Sequence, residues 1–205
     1  GSHRREARHT TQRGERALRS DARSPQRDND RLGLGAQGIA LRVRDTLRGD
    51  APAVLKLGLS GEERVDGTVA EFEALRNLAI PYIAPVLAMG FAAARDLHVA
   101  AQYIPEMPAD LASPRAFLVR DWVDGPPLLE WKATPADMTT ALVRLVEAVA
   151  ELHSSGLVHG DLKPDHVLIR DGDGPTPILI DFGLAAAATR GKRGGTPGYL
   201  APERL

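Results

Sequence analysis

Apolar and polar positions alternate early in the chain. Residues 31–43 and 53–59 read as strands on either side of a turn at Arg48-Gly49-Asp50. The period then changes. Val69, Phe72, Leu75 and Leu78 recur at helical spacing and predict a helix over Val69–Leu78. Residues 83–91 and 116–123 return to a strand pattern. Between them, 92–115 is irregular, carries three prolines, and reads as an insertion. Thr139–His153 has the strongest helical period, with Leu142, Leu145, Val146, Val149 and Leu152 on one face. Thr134 suits its N-cap, Pro135 its first position, and Gly156 its C-terminal stop. Val167–Ile169 and Ile178–Ile180 are short apolar strands, and Ala185–Ala188 reads as flexible.

Composition narrows the class. A chain of 205 residues with 43% hydrophobic residues can build one domain or two small lobes. Its net charge of −1 argues against binding a nucleic acid by charge alone. Without cysteine there is neither a disulfide framework nor a thiolate metal site. No apolar run is long enough to span a bilayer, so no membrane partner is expected and a cytoplasmic location is the default. The first three residues, Gly1-Ser2-His3, resemble a tag scar. Through Arg31 the chain has nine Arg against five Asp or Glu and almost no large apolar residue. Residues 1–30 therefore read as a disordered basic leader, with a docking arm or a short helix through Glu15–Ala22 as alternatives.

Several short stretches carry chemistry. Gly33-Leu34-Gly35-Ala36-Gln37-Gly38 fits G-x-G-x-x-G, a pattern that lets backbone N–H groups approach a polyphosphate. Alone it is equally a chance turn. A dinucleotide fold needs a helix opening at the last glycine, whereas Ile39–Val43 continues as a strand, which favours a kinase-type flap. On the next strand Lys56 alternates with Leu55 and Leu57 and so faces the other side. It is either an edge residue or a point charge for phosphates, with Glu71 on the helix as counter-charge. Then come His159-Gly160-Asp161-Leu162-Lys163-Pro164-Asp165-His166, Asp181-Phe182-Gly183, and Gly194-Gly195-Thr196-Pro197-Gly198-Tyr199-Leu200-Ala201-Pro202-Glu203.

In this order these motifs resemble the eukaryotic-type Ser/Thr protein kinase family found in many bacteria, from about Arg31 to Leu205. The resemblance implies an α+β, two-lobed protein-kinase-like fold. A small β-rich N-lobe would span 31–123. A mainly helical C-lobe would span 124–205 and be incomplete. It implies ATP with Mg²⁺ or Mn²⁺ as cofactors and a protein substrate. Gly33, Gly35 and Gly38 would cover the phosphates. Lys56 would bind the α/β-phosphates and pair with Glu71. Asp161 would accept the substrate hydroxyl proton, Lys163 would hold the γ-phosphate, and Asp181 would bind metal. Backbone groups of Asp121 and Val123 would meet the adenine, with Ala53 and Leu168 on its two faces. Leu75, Val86, His159 and Phe182 would stack. Thr196 would lie in the substrate-binding segment, where its hydroxyl can bond Asp161 or Lys163.

The chain departs from the pattern at several positions. Gly160 stands where the family has an Arg that grips a phosphate on the activation loop, which weakens the case for regulation through Thr189. His166 stands where the family has a metal-binding Asn. Imidazole suits Mn²⁺ or Zn²⁺ better than Mg²⁺. Arg120 occupies the usually apolar position behind the adenine. The leading reading is an ATP-dependent protein Ser/Thr kinase within a larger signalling protein. A pseudokinase serving as a nucleotide-binding or docking module is the second reading. A small-molecule phosphotransferase is the third. If the C-lobe is incomplete, a downstream domain, a partner or self-association is expected to cover the helix face of Leu142, Leu145, Val149 and Leu152.

Overall fold

The computed structural model describes residues 18–19, 31–35, 38–58, 62–93, 114–187 and 195–202. Most of the leader, the flap tip 36–37, the middle of the expected insertion at 92–115, Thr189, Gly194 and Glu203 lie outside the described residues. The fold is α+β. The chain divides into two compact units, one of residues 1–72 with 86–122 and one of residues 73–85 with 123–205.

The first unit is built on an antiparallel sheet. Strands β1 (Leu18–Arg19) and β2 (Arg31–Gly35) both pair with β3 (Gly38–Asp45). From β3 the order runs through β4 (Ala51–Gly58) and β6 (Pro114–Asp121) to β5 (Val86–Ala93). The expected strand over 31–43 is thus a hairpin, with Gly35 opposite Gly38. At Gly38, φ is 153° and an added Cβ would lie 2.1 Å from the Leu57 carbonyl oxygen, so only glycine brings the strands this close. Two residues of the leader, Leu18 and Arg19, pair with Asp45 and Arg44 as an edge strand, not as helix or disorder. The expected insertion also begins later and ends sooner. Ala92 pairs with Arg115 and Ala93 with Pro114, so the β5–β6 hairpin reaches into it.

Between β3 and β4, the Asp45 carboxylate accepts the Leu47 N–H at 3.0 Å and starts a 3-10 turn at Thr46–Arg48. Gly49 and Asp50 follow with φ of 68° and 62° and reverse the chain. Alternation then sorts the sheet faces. Ile39, Leu41, Val43, Ala53, Leu55, Leu57, Phe117 and Val119 form one buried cluster. Each such aliphatic burial stabilises by roughly 1.5–3 kcal/mol. The opposite face holds Ala40, Lys56 and Leu118 in one register row and Arg42, Val54 and Arg120 in the next. Arg42 also places its guanidinium 4.4 Å over the Trp122 ring.

Helix α1 spans Glu62–Leu75. It starts seven residues before the apolar period does, because its first turns are polar, and it stops before Leu78. Helix α2 spans Pro135–Ser154. Thr134 caps it by accepting the Asp137 N–H at 3.2 Å, and Gly156 follows its end with φ 75°. Its buried residues are Ala141, Ala148 and Leu152. Leu142 and Val146, expected on the core face, are 45% and 68% exposed, as is Val143 at 53%. Small alanines at 141 and 148 let the helix approach β7 (Leu157–Val158) and β9 (Thr176–Leu179) closely. The apolar stripe therefore turns partly outward.

In the second unit β8 (Val167–Arg170) pairs with β9. Segments flank both. The Leu179 N–H donates to the Tyr82 carbonyl at 2.7 Å, and the Ile169 N–H to the Pro126 carbonyl at 2.9 Å. Strand β10 (Ala186–Ala187) pairs with β7, so this part of the expected flexible stretch is ordered. His159 lies buried just after β7. Its Nε2–H donates to the Ile180 carbonyl at 3.2 Å, its Nδ1 accepts the Asp161 N–H at 3.3 Å, and its ring sits 4.6 Å from that of Phe182. Both ring nitrogens are engaged as those of a neutral imidazole. Burial lowers its pKa from 6.5 to about 4.

Two stability outcomes are expected. Leu152→Ala should cost about 2–5 kcal/mol by leaving a cavity. Val146→Ala should stay within about 0.5 kcal/mol, as surface changes do. Equal losses in urea unfolding would restore the face expected from the periodicity. For His159 the unfolded chain binds a proton that the folded one refuses between pH 6.5 and about 4. Stability should therefore fall by on the order of 3 kcal/mol as pH drops through that window. His159→Gln should flatten that slope.

Candidate active site

Strand β4 and helix α1 bring Lys56 to Glu71. The Lys56 Nζ lies 3.1 Å from Glu71 Oε2, and the carboxylate side chain is only 5% exposed. The pairing expected from the sequence is therefore present. A pair this enclosed sheds much of its hydration, and the attraction at best offsets that cost. What it secures is orientation, because the lysine is held on the Ala40–Val54–Leu118 face of the sheet. Ala53 is not on that face. It packs with Leu55 and Leu57 on the other, and strand alternation makes this unavoidable. The expectation that Ala53 shares the Lys56 face is therefore corrected, and Val54 is the residue of β4 that does. The alternation that correctly separated Lys56 from Leu55 already contained this signal.

The residues that end β6 and follow it are fixed differently. Asp121 ends β6 and its Oδ1 lies 3.0 Å from Arg48 Nη1, an ion pair that spacing along the sequence does not reveal. Val123 is buried in the second unit with Ala84 and Ile178, and Leu168 packs against that cluster. Arg120 pairs opposite Val54 and Val86. Glu71 has Lys56 as its ion-pair partner.

In the second unit, five predicted residues converge. Asp161 Oδ1 accepts two bonds from Thr196, one from its N–H and one from its hydroxyl, both at 2.8 Å. The Lys163 Nζ donates to the same hydroxyl at 3.0 Å and lies 3.6 Å from Asp161 Oδ2. His166 Nδ1–H donates to the Asp161 carbonyl at 2.8 Å, and His166 Nε2 lies 3.4 Å from Asp181 Oδ2. Both partners expected for the Thr196 hydroxyl are found. Burial alone would raise the Asp161 pKa. The Thr196 hydroxyl, then Lys163 and His166, outweigh burial and hold the carboxyl below its ordinary value. It stays ionised and acts first as an orienting acceptor.

The backbone here is unusual. Asp181 has φ 62°, rare outside glycine and frequent at functional positions. Gly160 has φ 83°, and an added Cβ would lie 2.5 Å from the Leu184 carbonyl oxygen. A side chain does not fit this turn of the loop. Gly195 carries its segment past Gly160 with φ 132°.

The donor set suits a divalent cation in part. Asp181 supplies a hard oxygen and His166 a nitrogen. Among the described residues, no group of three or more His, Asp or Glu is arranged to hold a metal alone. Two protein donors are compatible with a cation whose other positions are filled by phosphate and water, as in phosphoryl-transfer sites.

Comparison with known proteins places these motifs in a family. The family described as protein kinase domain matches residues 27–205. Serine/threonine-protein kinase Pkn1 of Myxococcus xanthus is 36% identical over 46% of this chain and 15% of its own length. Serine/threonine-protein kinase PkaA of Streptomyces coelicolor is 39% identical over 42% of this chain and 18% of its own. Calcium/calmodulin-dependent protein kinase type 1 of Caenorhabditis briggsae is 41% identical over 35% of this chain and 21% of its own. The matched stretch thus spans about a fifth or less of each relative. With the family model covering nearly the whole chain, and with Lys56–Glu71 and Asp161–Lys163–Thr196 assembled, the chain belongs to the protein kinase domain family.

Proposed function

We propose that this chain is an ATP-dependent serine/threonine protein kinase domain that moves the γ-phosphate of ATP to a protein hydroxyl. One observation carries the reading. Thr196 gives both its N–H and its hydroxyl to Asp161 Oδ1 while Lys163 binds that same hydroxyl. The segment 195–202 is thereby tied to the carboxylate. A hydroxyl that approaches Asp161 does so beside that segment, which suits an extended polypeptide better than a small acceptor.

Roles follow from the chemistry. Gly33, Gly35 and Gly38 cover the phosphates, and Lys56, steadied by Glu71, holds the α/β-phosphates. On the first unit, the backbone of Asp121 and the Val54 side chain on the Lys56 face suit the adenine. Asp161 Oδ1 is engaged by Thr196, so Oδ2 takes the acceptor hydroxyl. The acceptor oxygen forms a bond to the γ-phosphorus as the bond from phosphorus to the β–γ bridging oxygen breaks. The hydroxyl proton passes to Asp161, and ADP leaves. Lys163, 3.6 Å from Oδ2, offsets negative charge on the transferred group. Asp181 and His166 are the residues that would hold a divalent cation, which neutralises phosphate charge when bound. Nothing in the geometry favours a pseudokinase, since the charged groups that transfer needs are paired and oriented.

Two outcomes test this. Lys56→Ala should remove most of the rise in melting temperature that ATP with a divalent cation gives the wild type, because only native-state binding stabilises. Asp161→Asn should keep that rise yet lower phosphate transfer to a protein acceptor by ~10²–10⁴-fold. A wild type unaffected by nucleotide would sink the reading. For Thr196→Ala, losing the hydroxyl bond should raise the Asp161 pKa towards its ordinary value. The acid limb of the pH–rate profile should move to higher pH, together with a fall in kcat. An unmoved acid limb would separate Thr196 from the carboxylate.

A further inference from the structure

The Lys56 face of the first unit's sheet holds two arginines on either side of one apolar residue. Arg42 pairs opposite Val54, and Val54 opposite Arg120, so the three form one row on that face. Lys56 belongs to the next row, about 7 Å along the strand, and the backbones of the two arginines stand about 10 Å apart across the row. Both arginines are half-buried. Arg42 holds its guanidinium 4.4 Å over the Trp122 ring, and its Nε–H is buried without an acceptor. A donor left unmet in this way favours a ligand that brings an acceptor. The next carboxylate along β6, Asp121, sits opposite Ala53 on the other face and is engaged by Arg48. A nucleotide with its phosphates at Lys56 and its base along Val54 therefore has an arginine on either side of that base.

We infer that this row reads the base, and that the site takes a purine with a carbonyl at its 6-position, guanine foremost, more tightly than adenine. GTP is then a phosphate donor beside ATP, by the transfer already given. The inference rests on the kinase reading for the place of the phosphates. Its own ground is the matching of donors to acceptors. A guanidinium has five N–H donors and no acceptor. Guanine offers two adjacent acceptors, O6 and N7, and arginine meets them with a bidentate pair of bonds. Adenine offers N7 beside an amino group, so one N–H of the arginine would face another donor. In a half-buried setting that mismatch is costly, because water does not fully replace the missing bond. Val54 gives either base the same apolar contact. It contributes affinity, and the arginines contribute the choice.

Calorimetric titration of the full chain with ADP, GDP and IDP, each with Mg²⁺, tests this. IDP keeps O6 and N7 but lacks the 2-amino group of guanine, so it isolates the edge at issue. GDP and IDP should each bind about tenfold or more tighter than ADP, the scale of one bidentate contact. The ratio of the ADP to the GDP dissociation constant should fall by about the same factor in Arg42→Met and in Arg120→Met, which keep bulk and remove the side-chain donors. A merely structural role for the arginines would weaken all three nucleotides together. A ratio unmoved in both variants would therefore overturn the inference. ADP bound as tightly as GDP, or IDP following ADP instead of GDP, would overturn it too and leave the kinase reading standing. The wild-type series needs no variant, so the test holds if either variant folds poorly. Binding of none of the three nucleotides would remove the kinase reading, and the inference with it.

Discussion

Four hydrogen bonds converge on Asp161 and hold the second unit's chemistry together. Its backbone N–H reaches His159, its carbonyl receives His166, and its carboxylate takes two bonds from Thr196. Two residues of its own loop, His159 and His166, and Thr196, 35 positions further on, are thus tied to one residue. Most of these groups are shielded from water, and a partner left unmatched costs about 1–3 kcal/mol. The carboxylate is therefore fixed before any ligand arrives. Preorganisation of this kind is where electrostatic catalysis gains most, since nothing need reorient during reaction.

The first unit solves a different problem. A lysine inside a sheet is costly unless its charge is met, and Glu71 meets it from helix α1. Position, more than stability, is what such a pair delivers. The sheet's other face supplies the stability. Eight buried side chains from β3, β4 and β6 pack there without a polar atom among their side chains. The two faces of one strand thus divide the labour, with Leu55 and Leu57 for cohesion and Lys56 for chemistry.

Much of this was legible from residue order. Strand alternation placed Lys56, and the Thr134-Pro135 pair marked the start of α2. The hydroxyl at 196 was matched to both its partners. The failures have physical causes. The face of α2 was misjudged because apolarity was weighed by size, whereas close approach of a helix to β7 and β9 favours Ala141 and Ala148. Ala53 faces away from Lys56 because side chains alternate along a strand, and a motif of four residues does not say which of them share a face. The early turns of α1 were missed because polar residues carry no amphipathic signal. The tautomer of His166 depends on a backbone carbonyl, and no spacing rule reports where a carbonyl points.

Gly160 constrains its loop. Its backbone angle and the nearby Leu184 carbonyl exclude a Cβ, so placing an arginine there is not a single step. The loop from Leu184 would have to move first, and Ala185 beside it is buried while Ala186 is paired with Val158. A glycine fixed in this way leaves no room for a side chain that could reach a phosphate from residue 160.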